Sequence, residues 1–327
     1  MANLTYRLRE AGSKLPGPVK APAKSAWRAW GGFAAKAYGR YYYTNAAQTW
    51  KNTTWLGVPI WKNPKDLWIY QEMLWELRPD LIVETGTNYG GSALFFASIL
   101  DLVDPDSDAK VMTVDISLRK ERPTHRRIEY IKGSSISDEV VAQFRAAAEQ
   151  AKTVLVVLDS DHHYDHVLAE LRALHSLVTV GSYLVVEDTN VNGHPVNPFF
   201  GPGPWEAVET FLADSLAQAF PEDGFIGEEG GRRSGQLTWV VDPIDGTANY
   251  MRGAKRFCVS LGLIEDRTCL LGAIHAPALN ETFAASHGDG ATLNGAAIRV
   301  AETADMRRAT VEVGWSTRRP NAAFQAL

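Results

Sequence analysis

Three stretches of this 327-residue chain hold side chains whose types and spacing could do chemistry. The first is rich in acids and histidines. Leu158-Asp159-Ser160-Asp161-His162-His163-Tyr164-Asp165-His166 closes one apolar run, and Val186-Glu187-Asp188-Thr189-Asn190 closes the next. If those runs are neighbouring parallel strands, Asp159 or Asp161 comes to lie beside Glu187 and Asp188. Three oxygen ligands without a cysteine suit Mg²⁺, which keeps waters that substrate oxygens can displace. His162 is near enough in sequence to act as general base on a hydroxyl held by that metal. His163 and His166 read instead as caps of the helix that begins near Tyr164.

The second stretch is the glycine loop Glu84-Thr85-Gly86-Thr87-Asn88-Tyr89-Gly90-Gly91-Ser92. Glycines let the backbone turn tightly and approach a ligand where a helix begins. The loop lacks G-x-G-x-x-G, which disfavours a nicotinamide cofactor. Asp115 ends the following apolar run, where an acid can accept hydrogen bonds from a ribose diol. The Glu84/Asp115 pair suits S-adenosylmethionine as well as a nucleotide. The third stretch, Asp242-Pro243-Ile244-Asp245-Gly246-Thr247, places two aspartates around a Pro-Ile turn with Glu228 upstream. Such a set can bind two Mg²⁺ ions that clamp a phosphate ester, with the Gly246 and Thr247 amides on phosphate oxygens.

These residues must be positioned by elements. Asp80–Glu84, Lys110–Asp115, Arg127–Ile131, Thr153–Asp159 and Ser182–Glu187 read as strands. Gly91–Leu102, Asp138–Ala151 and Tyr164–Leu177 read as helices. Strands alternating with helices predict an α/β fold with a doubly wound parallel sheet, whose ligands bind beyond the carboxyl ends of the strands. Four strands end in Glu84, Asp115, Asp159 and Glu187-Asp188. Gly201-Pro202-Gly203-Pro204-Trp205 reads as a lid or substrate wall, or as a rigid start to the next helix.

Composition narrows the classes. Hydrophobic residues make up 45% and charged residues 22%, which excludes a mainly disordered chain. No run of about 18 uncharged apolar residues occurs, so no transmembrane segment is expected. Two cysteines cannot form a disulfide framework, and a cytoplasmic location is the default. A net charge of −5 argues against a nucleic-acid partner. Residues 1–45 run the other way, with eight Lys/Arg and only Glu10 as an acid. This basic arm, with Trp27, Trp30, Phe33 and Tyr41-Tyr42-Tyr43, is expected to pack its aromatics on the next domain and could join subunits of a homo-oligomer.

Thr54-Trp55-Leu56-Gly57-Val58-Pro59-Ile60-Trp61-Lys62-Asn63-Pro64, Val83-Glu84-Thr85-Gly86-Thr87, Leu158-Asp159-Ser160-Asp161-His162 and Val186-Glu187-Asp188-Thr189-Asn190-Val191-Asn192-Gly193-His194-Pro195 resemble the cephalosporin hydroxylase / rhamnosyl O-methyltransferase family over about residues 48–213. The resemblance implies a Rossmann-like class I methyltransferase fold, S-adenosylmethionine, Mg²⁺ and a small-molecule hydroxyl substrate, a sugar or secondary metabolite. It places Asp159, Glu187 and Asp188 on the metal, with Asp161 as the alternative. Gly86 and Gly90 would line the methionine end, Asp115 the ribose, and Ser134 and Ser135 the adenine edge.

From about residue 214 the chain is similar to the inositol monophosphatase family, through Asp242-Pro243-Ile244-Asp245-Gly246-Thr247, Phe257-Cys258-Val259-Ser260-Leu261-Gly262 and Gly290-Ala291-Thr292-Leu293-Asn294-Gly295. That resemblance puts Glu228, Asp242, Asp245 and the Ile244 carbonyl on metal and has Thr247 help activate water. It also implies an incomplete α+β segment: no Trp-Asp pair, the source of a further metal aspartate in that family, occurs in this chain. The expected organisation is an arm over 1–47, a methyltransferase-like domain over 48–213 and a phosphatase-like segment over 214–327, joined as a fusion. Little or no phosphatase activity is expected.

Overall fold

The computed structural model of the protein describes residues 37–194, 196–227, 232–246 and 255–302. Glu228, Thr247 and most of the basic arm lie outside the described residues. After a helical stretch at 37–44, β1 (Thr54–Trp55) and β2 (Val58–Pro59) pair antiparallel across Leu56 and Gly57. Both turn residues have positive φ, as a two-residue hairpin turn of the right twist requires. Helix α1 (Pro64–Leu77) follows at once. Asn63 Oδ1 accepts the Lys65 N–H at 3.0 Å, and Pro64 occupies the first helical position, where no donor is missed.

The first sheet contains β3 (Leu81–Thr85), β4 (Lys110–Asp115), β5 (Ile128–Lys132), β6 (Val154–Leu158) and β7 (Leu184–Val186), all parallel. Their spatial order is β5-β4-β3-β6-β7. The chain therefore builds outward from β3 in one direction and then returns to build in the other. The crevice at that reversal, above β3, β4 and β6, is where ligands of such sheets bind. Helices α2 (Gly91–Val103), α3 (Asp138–Ala148) and α4 (Tyr164–Leu174) cover its faces.

Burial on both faces explains why β3 and β6 are near-continuous apolar runs. Ile82, Val111, Leu155 and Val157 pack with Phe95, Phe96 and Leu100 of α2 and Leu74 of α1. On the other face Val83, Val114, Val156 and Leu158 pack with Phe144 of α3 and Leu171 of α4. Each such side chain contributes about 1.5–3 kcal/mol on full burial. The edge strand β7 is shorter than the expected Ser182–Glu187, because only β6 pairs with it, and its residues are half-buried.

Helix α5 (Pro204–Ala219) serves two cores. Ala207, Val208 and Phe211 join the core of the parallel sheet, whereas Leu212, Ala213 and Leu216 pack on Phe225, Trp239 and Val241. The expected seam at 213/214 thus falls inside one helix. Beyond it, β8 (Gly224–Gly227), β9 (Arg232–Arg233), β10 (Thr238–Asp245), β11 (Cys258–Glu265), β12 (Thr268–Ala276), β13 (Glu281–Ser286), β14 (Gly290–Leu293) and β15 (Ala296–Ile298) form a second sheet. Its order is β15-β14-β13-β12-β11-β10-β8-β9, antiparallel except for β8 beside β10. The two parts also meet at Tyr183, whose hydroxyl donates to the Pro277 carbonyl at 3.1 Å, and at the exposed Lys255–Glu72 ion pair.

Candidate active site

The carboxyl ends of β3, β4, β6 and β7 carry the expected acids to one rim. The loops above them are held very close together. Gly86 has φ +87°, and a Cβ there would lie 1.9 Å from the Asp159 carbonyl oxygen. At Gly91 a Cβ would lie 2.2 Å from the Pro59 carbonyl oxygen, so the segment after β2 is laid directly on the glycine loop. These two glycines admit neighbouring backbone, and Gly90, with φ +78°, faces Pro123 and Tyr130. The residues read as lining a ligand are first of all what lets three loops converge.

Beneath the loop Glu84 is fully buried. Its Oε2 accepts from Thr113 Oγ1 at 2.6 Å, while Oε1 is buried without a hydrogen-bond partner. Burial pushes its carboxyl up to about 7, against the hydrogen bonds from Ser92 and Thr113. A carboxyl with a raised folded-state pKa favours folding in its neutral form. The metal-free protein should therefore lose stability as pH rises from about 4.5 to 7 and level off above, by on the order of 3 kcal/mol from this group. Glu84→Gln keeps an acceptor for Thr113 and cannot ionise. It should flatten that part of the pH profile of thermal unfolding; a profile as steep as wild type would refute the assignment.

Asp115 is half-buried and already shaped by backbone donors. Asn88 N–H donates to Oδ2 and Ser117 N–H to Oδ1, both at 2.9 Å. Each oxygen keeps a lone pair, which fits a ribose diol. Ser134 and Ser135 follow β5; Ser135 is buried, with Oγ 3.2 Å from His166 Nε2. An orphaned buried carboxyl oxygen beside the glycine loop and an oriented acid one strand away suit the amino-acid and ribose ends of S-adenosylmethionine.

Farther along the rim the structure brings together Asp159, His162 and Asp188, with one ligand atom from each within 4.8 Å of the others. His162 Nε2 lies 3.2 Å from Asp188 Oδ2. Asp188 has φ +55°, a strained backbone for a non-glycine residue, which turns it off the end of β7. Burial raises its carboxyl. Two carboxylates and an imidazole make a donor set able to take a divalent cation. Glu187 is drawn elsewhere, onto Lys62 and Tyr70. Lys62 Nζ is 2.8 Å from Asp159 Oδ2 and 2.6 Å from Glu187 Oε1, and Tyr70 Oη donates to that same Glu187 oxygen at 2.6 Å. Against the cost of burial, the ammonium holds the Glu187 carboxyl low, whereas burial outweighs it at Asp159 and lifts that carboxyl to about 6.

Asp161 is not part of this group. It faces solvent, accepts the His163 N–H at 3.0 Å and pairs with His163 Nδ1 at 2.5 Å. The reading of His163 and His166 as caps also needs correction. His163 occupies the N-cap position of α4, but its ring does not cap; it bonds Asp161 and stacks on Phe200. His166 turns to Ser135 and Glu170. The Gly-Pro stretch is a helix start: Gly203 N–H donates to Glu206 Oε2 at 2.8 Å and Pro204 opens α5.

Lys62 and Tyr70 were missed in the sequence, as was Tyr43, whose hydroxyl is pushed up by burial and by the acids Asp66, Asp188 and Glu187. The available signal was Lys62 itself: a lysine just before the Asn-Pro start of α1, in the segment that precedes the first sheet strand. Of the arm's described aromatics, Tyr42 is buried. In the second sheet, Asp242 and Asp245 flank a register shift between β10 and β11. Among the described residues they do not form a three-group metal cluster. The Ile244 carbonyl belongs to the same irregular stretch.

Comparison with known proteins agrees with the two-part reading. Residues 47–231 match the family model of rhamnosyl O-methyltransferase/CmcI, and residues 204–326 match that of the inositol monophosphatase family. The two matches overlap across α5 and β8. Rhamnosyl O-methyltransferase of Mycobacterium tuberculosis is 40% identical over 213 residues, 64% of this chain and 82% of that protein. Nus factor SuhB of Xylella fastidiosa is 40% identical over 123 residues, 37% of this chain and 45% of that protein. A solved Thermotoga maritima IMPase is 43% identical over 31% of this chain and 39% of its own, with a TM-score of 0.29. The chain thus spans less than half the length of these SuhB and IMPase relatives.

Proposed function

Because the chain belongs to the rhamnosyl O-methyltransferase/CmcI family, we propose that it transfers a methyl group from S-adenosylmethionine to a hydroxyl of a sugar, with Mg²⁺ at the acid cluster. The observation that carries this reading is the cluster of Asp159, His162 and Asp188, with the Asp159 backbone packed against Gly86, at the reversal point of a parallel sheet. When bound, the sulfonium supplies an activated methyl group, and a divalent cation eases deprotonation of the acceptor hydroxyl.

The chain's own residues do the rest. Asp115 orients the ribose, and Glu84 receives the amino-acid end under the glycine loop. Asp159, His162 and Asp188 hold the cation. Their fixed positions convert a bimolecular displacement into one between aligned groups. In that role the His162 imidazole spends its lone pair on the cation, so it is a ligand and not a free general base. The protein is read as cytoplasmic, with no nucleic-acid partner; among the described residues no helix is long and apolar enough to cross a membrane.

Transfer of a labelled methyl group to a rhamnoside, abolished by chelator and restored by Mg²⁺, is the expected result. Folded protein that binds neither S-adenosylmethionine nor its demethylated product in a calorimeter would sink the proposal.

A second reading, a Mg²⁺-dependent phosphatase, rests on the 204–326 match and on Asp242 and Asp245. We expect inositol phosphate hydrolysis no faster than background. Hydrolysis that disappears in Asp242→Asn would reverse that expectation.

A further inference from the structure

We infer that the loop after β4 forms a phosphate-binding site, in which Arg119 and Arg122 receive a phosphate monoester carried by a small molecule or by a lipid headgroup. The site is separate from the methyl-transfer reading, since neither S-adenosylmethionine nor a sugar hydroxyl carries a phosphate.

A cavity of about 320 Å³ is lined by Tyr89 of the glycine loop and by Arg119, Lys120, Glu121 and Arg122. That volume falls within the range of small-molecule sites. Three cations and one acid leave two positive charges at the wall, the complement of a phosphate monoester dianion.

The guanidiniums are held in place without being spent on acids. Arg119 Cζ lies 3.8 Å from the centre of the Tyr89 ring, and its Nε donates to Asn88 Oδ1 at 3.2 Å. Arg122 Cζ lies 4.9 Å from the centre of the Tyr130 ring, and its Nη1 donates to the Arg119 carbonyl at 2.8 Å. Among the described residues none of Arg119, Lys120 and Arg122 makes an ion pair, although Glu121 lines the same cavity. Arg126 and Arg127, a few residues on, behave in the opposite way, since both pair with Asp101. A guanidinium stacked on a ring keeps its edge free, and that edge offers parallel N–H donors to two phosphate oxygens.

The loop is also fixed at both ends. Ser117 N–H donates to Asp115 Oδ1 at 2.9 Å, and Tyr130 Oη donates to the Pro123 carbonyl at 2.7 Å. Pro123 and Tyr130 in turn sit against Gly90. The cations are therefore placed before a ligand arrives, which spares the ordering cost that free surface arginines incur on binding.

The test uses metal-stripped full-length protein in two arms. In one it is titrated calorimetrically with inorganic phosphate. In the other it is sedimented with phosphatidylcholine vesicles, with and without phosphatidic acid, whose headgroup is a phosphate monoester. Arg119→Gln combined with Arg122→Gln should weaken binding at least tenfold. Arg126→Gln removes the same charge from an arginine already paired, and should stay within twofold of wild type. Loss in the calorimetric arm alone assigns a soluble phosphate ester; loss of sedimentation that depends on phosphatidic acid assigns the headgroup.

A loss of less than tenfold in both arms overturns the inference. So does an equal loss in Arg126→Gln, and so does wild-type protein that binds neither probe. Should the double variant not fold, Arg119→Gln alone decides, with a loss of at least threefold expected and a smaller one overturning the assignment.

Discussion

Gly86→Ala is expected to destabilise the protein by about 2–5 kcal/mol and to remove cofactor binding with it. Two costs add. An L-residue held in the left-handed region loses on the order of 1–2 kcal/mol, and Gly86 sits at φ +87°. The new Cβ would also stand 1.9 Å from the Asp159 carbonyl oxygen. That neighbour is backbone at the end of a buried strand, so it cannot rotate away, and overpacking of this kind costs about 1–3 kcal/mol. Relief requires β3 and β6 to part where Asp159 N–H donates to the Thr85 carbonyl at 3.1 Å. The measurement is a urea midpoint together with calorimetric binding of S-adenosylmethionine. A variant within 1 kcal/mol of wild type that still binds the cofactor would show that the loops do not meet this closely. Gly57→Ala is the matched control: its φ is +83° with open space around it, so only the backbone cost applies.

Asp159→Asn is expected to slow methyl transfer by about a thousandfold while the protein stays folded. The residue stands in two groupings, with His162 and Asp188 in a set that could hold a cation and with Lys62 in an ion pair. Loss of a metal's charge at the reacting oxygen removes several kcal/mol of transition-state stabilisation, and about 4 kcal/mol is three powers of ten in rate. Folding survives because Glu187 still neutralises Lys62 at 2.6 Å. The kinetic signature is a fall in kcat that added Mg²⁺ does not recover, with cofactor affinity retained. Activity within tenfold of wild type would remove Asp159 from the metal and leave it as a counter-ion alone.

Much of the architecture is legible along the chain because its signals are local. An all-apolar run such as Val154–Leu158 must be covered on both faces, and helical stretches between such runs force a parallel sheet. The acid or acid pair that ends a run then marks the binding rim. Glu84, Asp115, Asp159 and Asp188 lie at or just past strand ends, as such runs require, and Gly86 and Gly90 lie in the turn after β3. Element ends were less so. The Ser182–Glu187 run contracts to three strand residues because the number of its neighbours is a property of the sheet, not of the run.

What the sequence by itself determined is therefore the set of groups at the ends of the strands and the kind of sheet that gathers them. Only the tertiary structure decided how those groups divide. Lys62 lies 97 residues before Asp159 and 125 before Glu187, on a segment with no periodicity to announce it. Its ammonium pairs with both Asp159 and Glu187, while Asp188, on αL backbone, lies against the His162 ring. Asp161, one residue beyond Ser160, is exposed and bonded to His163 instead. A short loop laid over a glycine settles which of several equivalent carboxylates is neutralised from within. Charge pairing depends on distances of about 3 Å that arise only when chain segments far apart in sequence are packed together.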